Sequence, residues 1–164
     1  MALSKVHAFT EKRNRVEDRL INKVVIGVKD KQIEADALWD TGATCTAVSD
    51  FVVKELGLVS YGKQQIKTPS GEKLVDQYLV NLALPNDVLV PNVVACGSEI
   101  GNQGIDLLIG MNIIKLGDFA VSNFCGRTQF TFRMPSSRDA DYISSTTFLN
   151  NISKSHGKGK KKGK

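Results

Sequence analysis

Histidine is almost missing from this chain. Of 164 residues only His7 and His156 are histidines, and they lie near opposite ends. That argues against an imidazole-based triad or a zinc site inside the body of the chain. Cysteine is scarce and odd in number: Cys45, Cys96 and Cys125, with no C-x-x-C spacing. Such a set does not build a disulfide framework and fits a reducing compartment. No stretch approaches the ~18 consecutive apolar residues of a membrane helix. Residues 1–19 also lack the apolar core of a signal peptide. The expectation is a cytoplasmic chain with no membrane partner, no metal and no cofactor.

Charge is present but unevenly placed. The chain holds 22 Lys and Arg against 17 Asp and Glu, a net charge of +5. Six of the lysines fall between Lys154 and Lys164, so the remainder carries 16 basic against 17 acidic side chains. The basic balance therefore describes the tail rather than the body. Such a tail reads as a solvated, flexible end, or as a weak nonspecific contact with nucleic acid through Lys154–Lys164.

The body reads as many short strands and two short helices. Lys23–Val28 and Gln32–Trp39 form a hairpin about a turn at Lys29–Lys31, and Thr46–Val48 is a short apolar piece. Ser49 or Asp50 caps a helix over Phe51–Leu56, which Gly57 ends. Gln64–Lys67 and Lys73–Leu84 flank a turn at Pro69–Gly71. Val88–Cys96 is a strand interrupted by Pro91, which places it near a sheet edge. Ile105–Ile109 is a short buried strand, followed by a helix over Met111–Leu116 that stops at Gly117. Phe119–Ser122 and Thr128–Arg133 make a last hairpin. After Pro135 the composition turns Ser/Thr/Asp-rich and then Lys/Gly-rich. The organisation is a polar segment 1–19, one domain over 20–135 and a flexible tail 136–164. Its class is all-β and barrel-like.

One residue breaks the apolar pattern. The run Ala35-Asp36-Ala37-Leu38-Trp39 leads into Asp40 and turns at Gly42. An isolated carboxylate at such a strand end is expensive to desolvate, so it marks a candidate acid or base. Downstream, Asp106-Leu107-Leu108-Ile109-Gly110-Met111-Asn112-Ile113-Ile114 runs from apolar strand through glycine into an apolar helix.

Together these two elements resemble the retroviral-type aspartic proteases, the retropepsins, over about residues 20–135. The match is Leu38-Trp39-Asp40-Thr41-Gly42-Ala43 followed by Leu108-Ile109-Gly110. Asp40-Thr41-Gly42-Ala43-Thr44 and the ending Phe119–Arg133 look more like bacterial stand-alone members than the viral enzymes. The resemblance implies an acid protease barrel with one catalytic half per subunit. It implies an aspartic endopeptidase acting on polypeptides, with Asp40 catalytic and Thr41, Gly42, Ala43 and Thr44 as the active-site loop. Thr41 would bond to its symmetry mate, and Gly110 would let the strand Leu108–Ile109 pass beneath the loop. Thr68, Pro69, Ser70 and Gly71 would form the tip of a flap over substrate. Because the chain has one Asp-Thr-Gly, a pair of carboxylates requires a homodimer.

Two departures stand out. Many viral members carry an acid at the position of Thr44 and an arginine at that of Met111, and here both are uncharged. The chain also continues past the second helix into the Phe119–Arg133 hairpin, a candidate dimer sheet. Cys45 sits near the rim of the site, as small filler or as a redox switch. The alternative reading is a noncatalytic binding or assembly module of the same fold, associated with nucleic acid through its basic tail.

Overall fold

The computed structural model describes residues 5–68, 71–144 and 146–147. The strands are β1 (His7–Lys12), β2 (Ile21–Val28), β3 (Lys31–Trp39), β4 (Thr46–Val48), β5 (Gly62–Thr68), β6 (Gly71–Leu84), β7 (Val88–Gly97), β8 (Leu107–Ile109), β9 (Asp118–Ser122) and β10 (Gln129–Met134). Two short α-helices, α1 (Asp50–Leu56) and α2 (Met111–Ile114), separate them. The expected Lys-rich segment 154–164 lies outside the described residues, as do Pro69 and Ser70.

Seven strands form one sheet in the order β2-β3-β8-β4-β7-β6-β5, and β2 also pairs with β6. That extra pairing, Val25 with Ala83 through Gly27 with Asn81, closes β2, β3, β8, β4, β7 and β6 into a six-stranded barrel. Alternating side chains fill it, as period-2 patterning requires. Val24, Ile26, Ala35, Ala37, Leu82, Leu107 and Ile109 are all at most 2% exposed. The expected all-β barrel with few short helices is thus the observed architecture.

The first half of β6 and all of β5 leave the barrel as a hairpin. Gly62 pairs with Gln77 at its base and Thr68 with Gly71 at its end. Residues 71–74 are exposed in succession, so neither face of this end is packed.

Helix α1 follows its local chemistry. The Ser49 hydroxyl accepts from the Val52 amide at 3.4 Å, and Gly57 ends the helix in the left-handed conformation, φ 62°. Val52 and Leu56 face the core.

Pro91 sits where the ladder lets it. β7 pairs with β4 only from Ala95 to Gly97, so its outer edge is open near Pro91. On the β6 side the register shifts between Val80 and Leu82, and the Asn92 amide donates to the Asn81 side chain instead. The strand itself is central in the sheet; the edge is local to the proline.

A second sheet, β1-β10-β9, packs on the barrel. The sequence reading assigns no element before residue 20, yet β1 pairs with β10 from His7–Met134 to Lys12–Gln129. Only Phe9 of that strand is buried. The aromatic cluster Phe9, Phe119, Phe130 and Phe132 surrounds Trp39, with Phe119 stacked on the indole at 5.0 Å.

Candidate active site

β3 and β4 are the two arms of the loop that carries Asp40, and β8 threads between them. β8 runs parallel to β3, with Trp39 opposite Ile109, and antiparallel to β4, with Ala47 opposite Leu108. Three backbone hydrogen bonds sew the loop to the strand-helix junction below it, and a fourth closes the loop on itself. The Asp40 amide donates to the Ile109 carbonyl at 3.0 Å, and the Met111 amide to the Ala43 carbonyl at 2.7 Å. The Asn112 amide donates to the Thr44 carbonyl at 3.2 Å, and the Ala43 amide to the Asp40 carbonyl at 3.3 Å.

Gly110 makes this threading possible. A Cβ there would stand 2.6 Å from the Cys45 carbonyl oxygen and 3.0 Å from that of Ala43. No side chain fits at such a separation. Leu108 is half-buried and Ile109 fully buried beneath the loop.

Above this platform Asp40 is half-buried, while Thr41, Gly42 and Thr44 are exposed. Oδ1 of Asp40 accepts from the Gly42 amide at 2.8 Å, which aims the carboxylate along the turn. Trp39 points the other way, into the aromatic cluster, and its indole N–H donates to Asn22 Oδ1 at 2.7 Å. The apolar residues near the loop, Trp39, Val48 and Ile109, are core.

Two residues that contact the loop segment were not among the candidates the sequence offered. Asn112 is the first. Its Oδ1 accepts from both the amide and the hydroxyl of Thr46, each at 2.8 Å, and its Nδ2 donates to the Val94 carbonyl at 3.1 Å. One side chain thus ties α2, β4 and β7 together behind the loop. A lone amide in the apolar run Leu107–Ile114 was the available signal. Cys96 is the second. Its sulfur lies 2.9 Å from that of Cys45, at the end of the Asp40 loop.

The hairpin of β5 and β6 reaches the same side of the barrel through Gln64. Gln64 Oε1 lies 3.7 Å from the Cys96 sulfur and accepts from Gln77 Nε2 at 2.6 Å. At the hairpin end Gly71 has φ 116°, a conformation L side chains rarely adopt. Pro69 and Ser70, also expected at this tip, lie outside the described residues.

Among the described residues no cluster of three or more His, Cys, Asp or Glu is placed to hold a metal ion. Among them, too, no helix is long and apolar enough to cross a membrane.

The fold is similar to the crystal structure of a retropepsin-like aspartic protease from Rickettsia conorii. The two share 14% identity with a TM-score of 0.52, over 82% of this chain and 99% of that one. The solution structure of simian foamy virus (mac) protease is also similar: 22% identity and a TM-score of 0.40, over 57% of this chain and 91% of that one. No curated protein sequence matches. The sequence profile of the aspartyl protease family matches residues 24–113, which run from within β2 to within α2 and include both the Asp40 loop and the Gly110 crossing. The chain belongs to the aspartyl protease family and has the retropepsin-like fold.

Proposed function

We propose that this chain is an aspartic endopeptidase whose catalytic pair is assembled from Asp40 of two identical subunits. The observation that carries the reading is the single Asp40-Thr41-Gly42 turn. It is rigidly backed by β8 and Gly110, yet Thr41 and Gly42 are exposed on the free subunit. A rigid platform that presents one carboxylate outward is half of a dyad, and a two-fold axis through the loop supplies the other half.

Two carboxylates in contact cannot both ionise, so they share one proton. The ionised partner takes a proton from water, which attacks the scissile carbonyl carbon. The protonated partner donates to the carbonyl oxygen. The tetrahedral diol then collapses: the carboxyl that took the water proton passes it to the amide nitrogen, and the C–N bond breaks. A diol hydroxyl returns its proton to the other carboxylate as the new carboxyl forms, with no covalent bond to the enzyme at any stage. Thr41 and its symmetry mate hold the two loops in register. Gly42 leaves room for substrate backbone, and Ala43 and Thr44 complete the loop.

The β5–β6 hairpin, whose strands end at Thr68 and Gly71, closes over the substrate and keeps bulk water from the pair. An extended peptide lies beneath it, with alternate side chains in alternate pockets. The unit we assign to catalysis is residues 20–135, to which β1 adds a strand from the preceding segment. The free thiols Cys45, Cys96 and Cys125 suit a reducing, cytoplasmic setting.

The test couples assembly to activity. Cleavage of a peptide library should show specific activity that rises with protein concentration until the dimer saturates. An excess of Asp40→Asn chain should suppress it by forming mixed dimers. A protein that stays monomeric at high concentration and cuts nothing in the library defeats the reading.

A further inference from the structure

Cys45 and Cys96 are both free thiols, yet their sulfurs lie 2.9 Å apart across a separation of 51 residues. The parallel pairing of β4 with β7 brings them together: Ala47 lies opposite Cys96, and Cys45 immediately precedes β4. A disulfide has an S–S length of ~2.05 Å, so closure needs an approach of about 0.9 Å.

The two thiols are not equivalent. Cys45 is half-buried, whereas Cys96 is 2% exposed. The hydrogen bond from Cys96 draws the Cys45 thiol down to about 7, while that same bond and burial push Cys96 up. An attacking thiol with a pKa near ambient pH is the most effective in exchange. A soft-metal role fits less well, since no third ligand stands with the pair among the described residues.

We propose that Cys45 and Cys96 are a redox-active dithiol, closed into an intrachain disulfide by a low-molecular-weight disulfide and reopened by a dithiol reductant. The Cys45 thiolate attacks one sulfur of the oxidant RSSR. A Cys45–S–S–R bond forms, the RS–SR bond breaks, and RS⁻ leaves and takes a proton from water. Cys96 then gives its proton to water and attacks the Cys45 sulfur. The bond to R breaks, and the second RS⁻ is protonated in turn. Two cysteine thiols are oxidised and one RSSR is reduced to two RSH.

The closed form joins the Asp40 loop covalently to β7. It also converts the Cys96 thiol, whose sulfur lies 3.7 Å from Gln64 Oε1 on the β5–β6 hairpin, into a sulfur with no hydrogen to donate. Any effect on peptide cleavage rests on the function proposed above; the thiol chemistry does not.

The test uses the full chain with Cys125→Ser, which removes the exposed third thiol. The reduced protein is incubated with oxidised glutathione at neutral pH, unfolded, alkylated and weighed. The expected result is loss of two hydrogen atoms, no alkylation and one cross-linked peptide containing Cys45 and Cys96, all reversed by dithiothreitol. The same cross-link should map in the unsubstituted chain. With Cys96→Ser added, a stable glutathione adduct should accumulate on Cys45; with Cys45→Ser added, Cys96 should remain unmodified. Two freely alkylated thiols after exposure to oxidant overturn the proposal. So does a stable adduct on Cys45 while Cys96 stays free. Because the readout is mass, a chain that cleaves no peptide still reports on the dithiol, and the two ideas fail separately.

Discussion

Gly110 lies directly against the backbone of Cys45, so that a methyl group added at 110 would stand 2.6 Å from the Cys45 carbonyl oxygen and 2.7 Å from its carbon. The obstacle is backbone held on both sides by hydrogen bonds, and it cannot swing aside as a side chain does. Gly110→Ala should therefore lower stability by about 1–3 kcal/mol, the range for overpacking a tight core. Denaturant titration would read this as a lower midpoint at unchanged slope. The same variant should lose activity beyond what its unfolded fraction explains, because the displaced segment carries Asp40.

Asp40→Asn separates chemistry from structure. Asparagine keeps the oxygen that accepts from the Gly42 amide at 2.8 Å. Stability should change by less than ~0.5 kcal/mol, as for a substitution away from the core. Turnover should fall by about 10²–10⁴-fold, the usual weight of a positioned acid-base group. Thermal unfolding and peptide cleavage on the same preparation check both halves. A variant that keeps most of its activity would remove Asp40 from the mechanism.

Asn112→Leu should be among the more damaging single changes behind the loop. It leaves the Thr46 amide and hydroxyl and the Val94 carbonyl without the partner they share. Thr46 is fully buried, and leaving a buried polar group unpaired costs about 1–3 kcal/mol. Asn112→Asp keeps the acceptor oxygen and should retain more stability than Leu near neutral pH. Equal losses for the two variants would count against the bridging role.

Asp118 gives the three-stranded sheet a dependence on acid. Hydrogen bonds from the Ser136 hydroxyl, then the Ser137 amide, then the Arg133 guanidinium hold its carboxyl well below the ordinary value of 3.8. A depressed carboxylate stabilises the fold above its unfolded pKa, and the contribution fades as pH falls below that value toward the folded one. Stability should thus drop as pH falls below about 4. Asp118→Asn should flatten that part of the curve while leaving the neutral plateau slightly lower. Urea midpoints taken across the acid range would show it.

What could be read from the chain was mostly local. The Ser49 cap and Gly57 stop define α1, and the Lys29 turn defines the β2–β3 hairpin, because each signal lies within a few residues of its effect. The Asp40 turn and the Gly110 crossing were legible for a similar reason: each breaks an apolar run at a fixed point. Closure of the barrel was not, since β2 meets β6 more than fifty positions away and nothing local encodes that register. β1 was missed because only Phe9 of its six residues is buried and the same-face neighbours His7 and Glu11 are polar. The partner of Cys45 was hidden too, because a parallel pairing of distant strands creates that contact.

The stacking of Trp39 on Phe119 has a practical result. The chain contains one tryptophan, so emission excited selectively at the indole comes from the seam between barrel and outer sheet, one residue from Asp40. That makes an unlabelled optical gauge available at the most informative point of the molecule. Loosening of the outer sheet should register there even when the barrel stays intact.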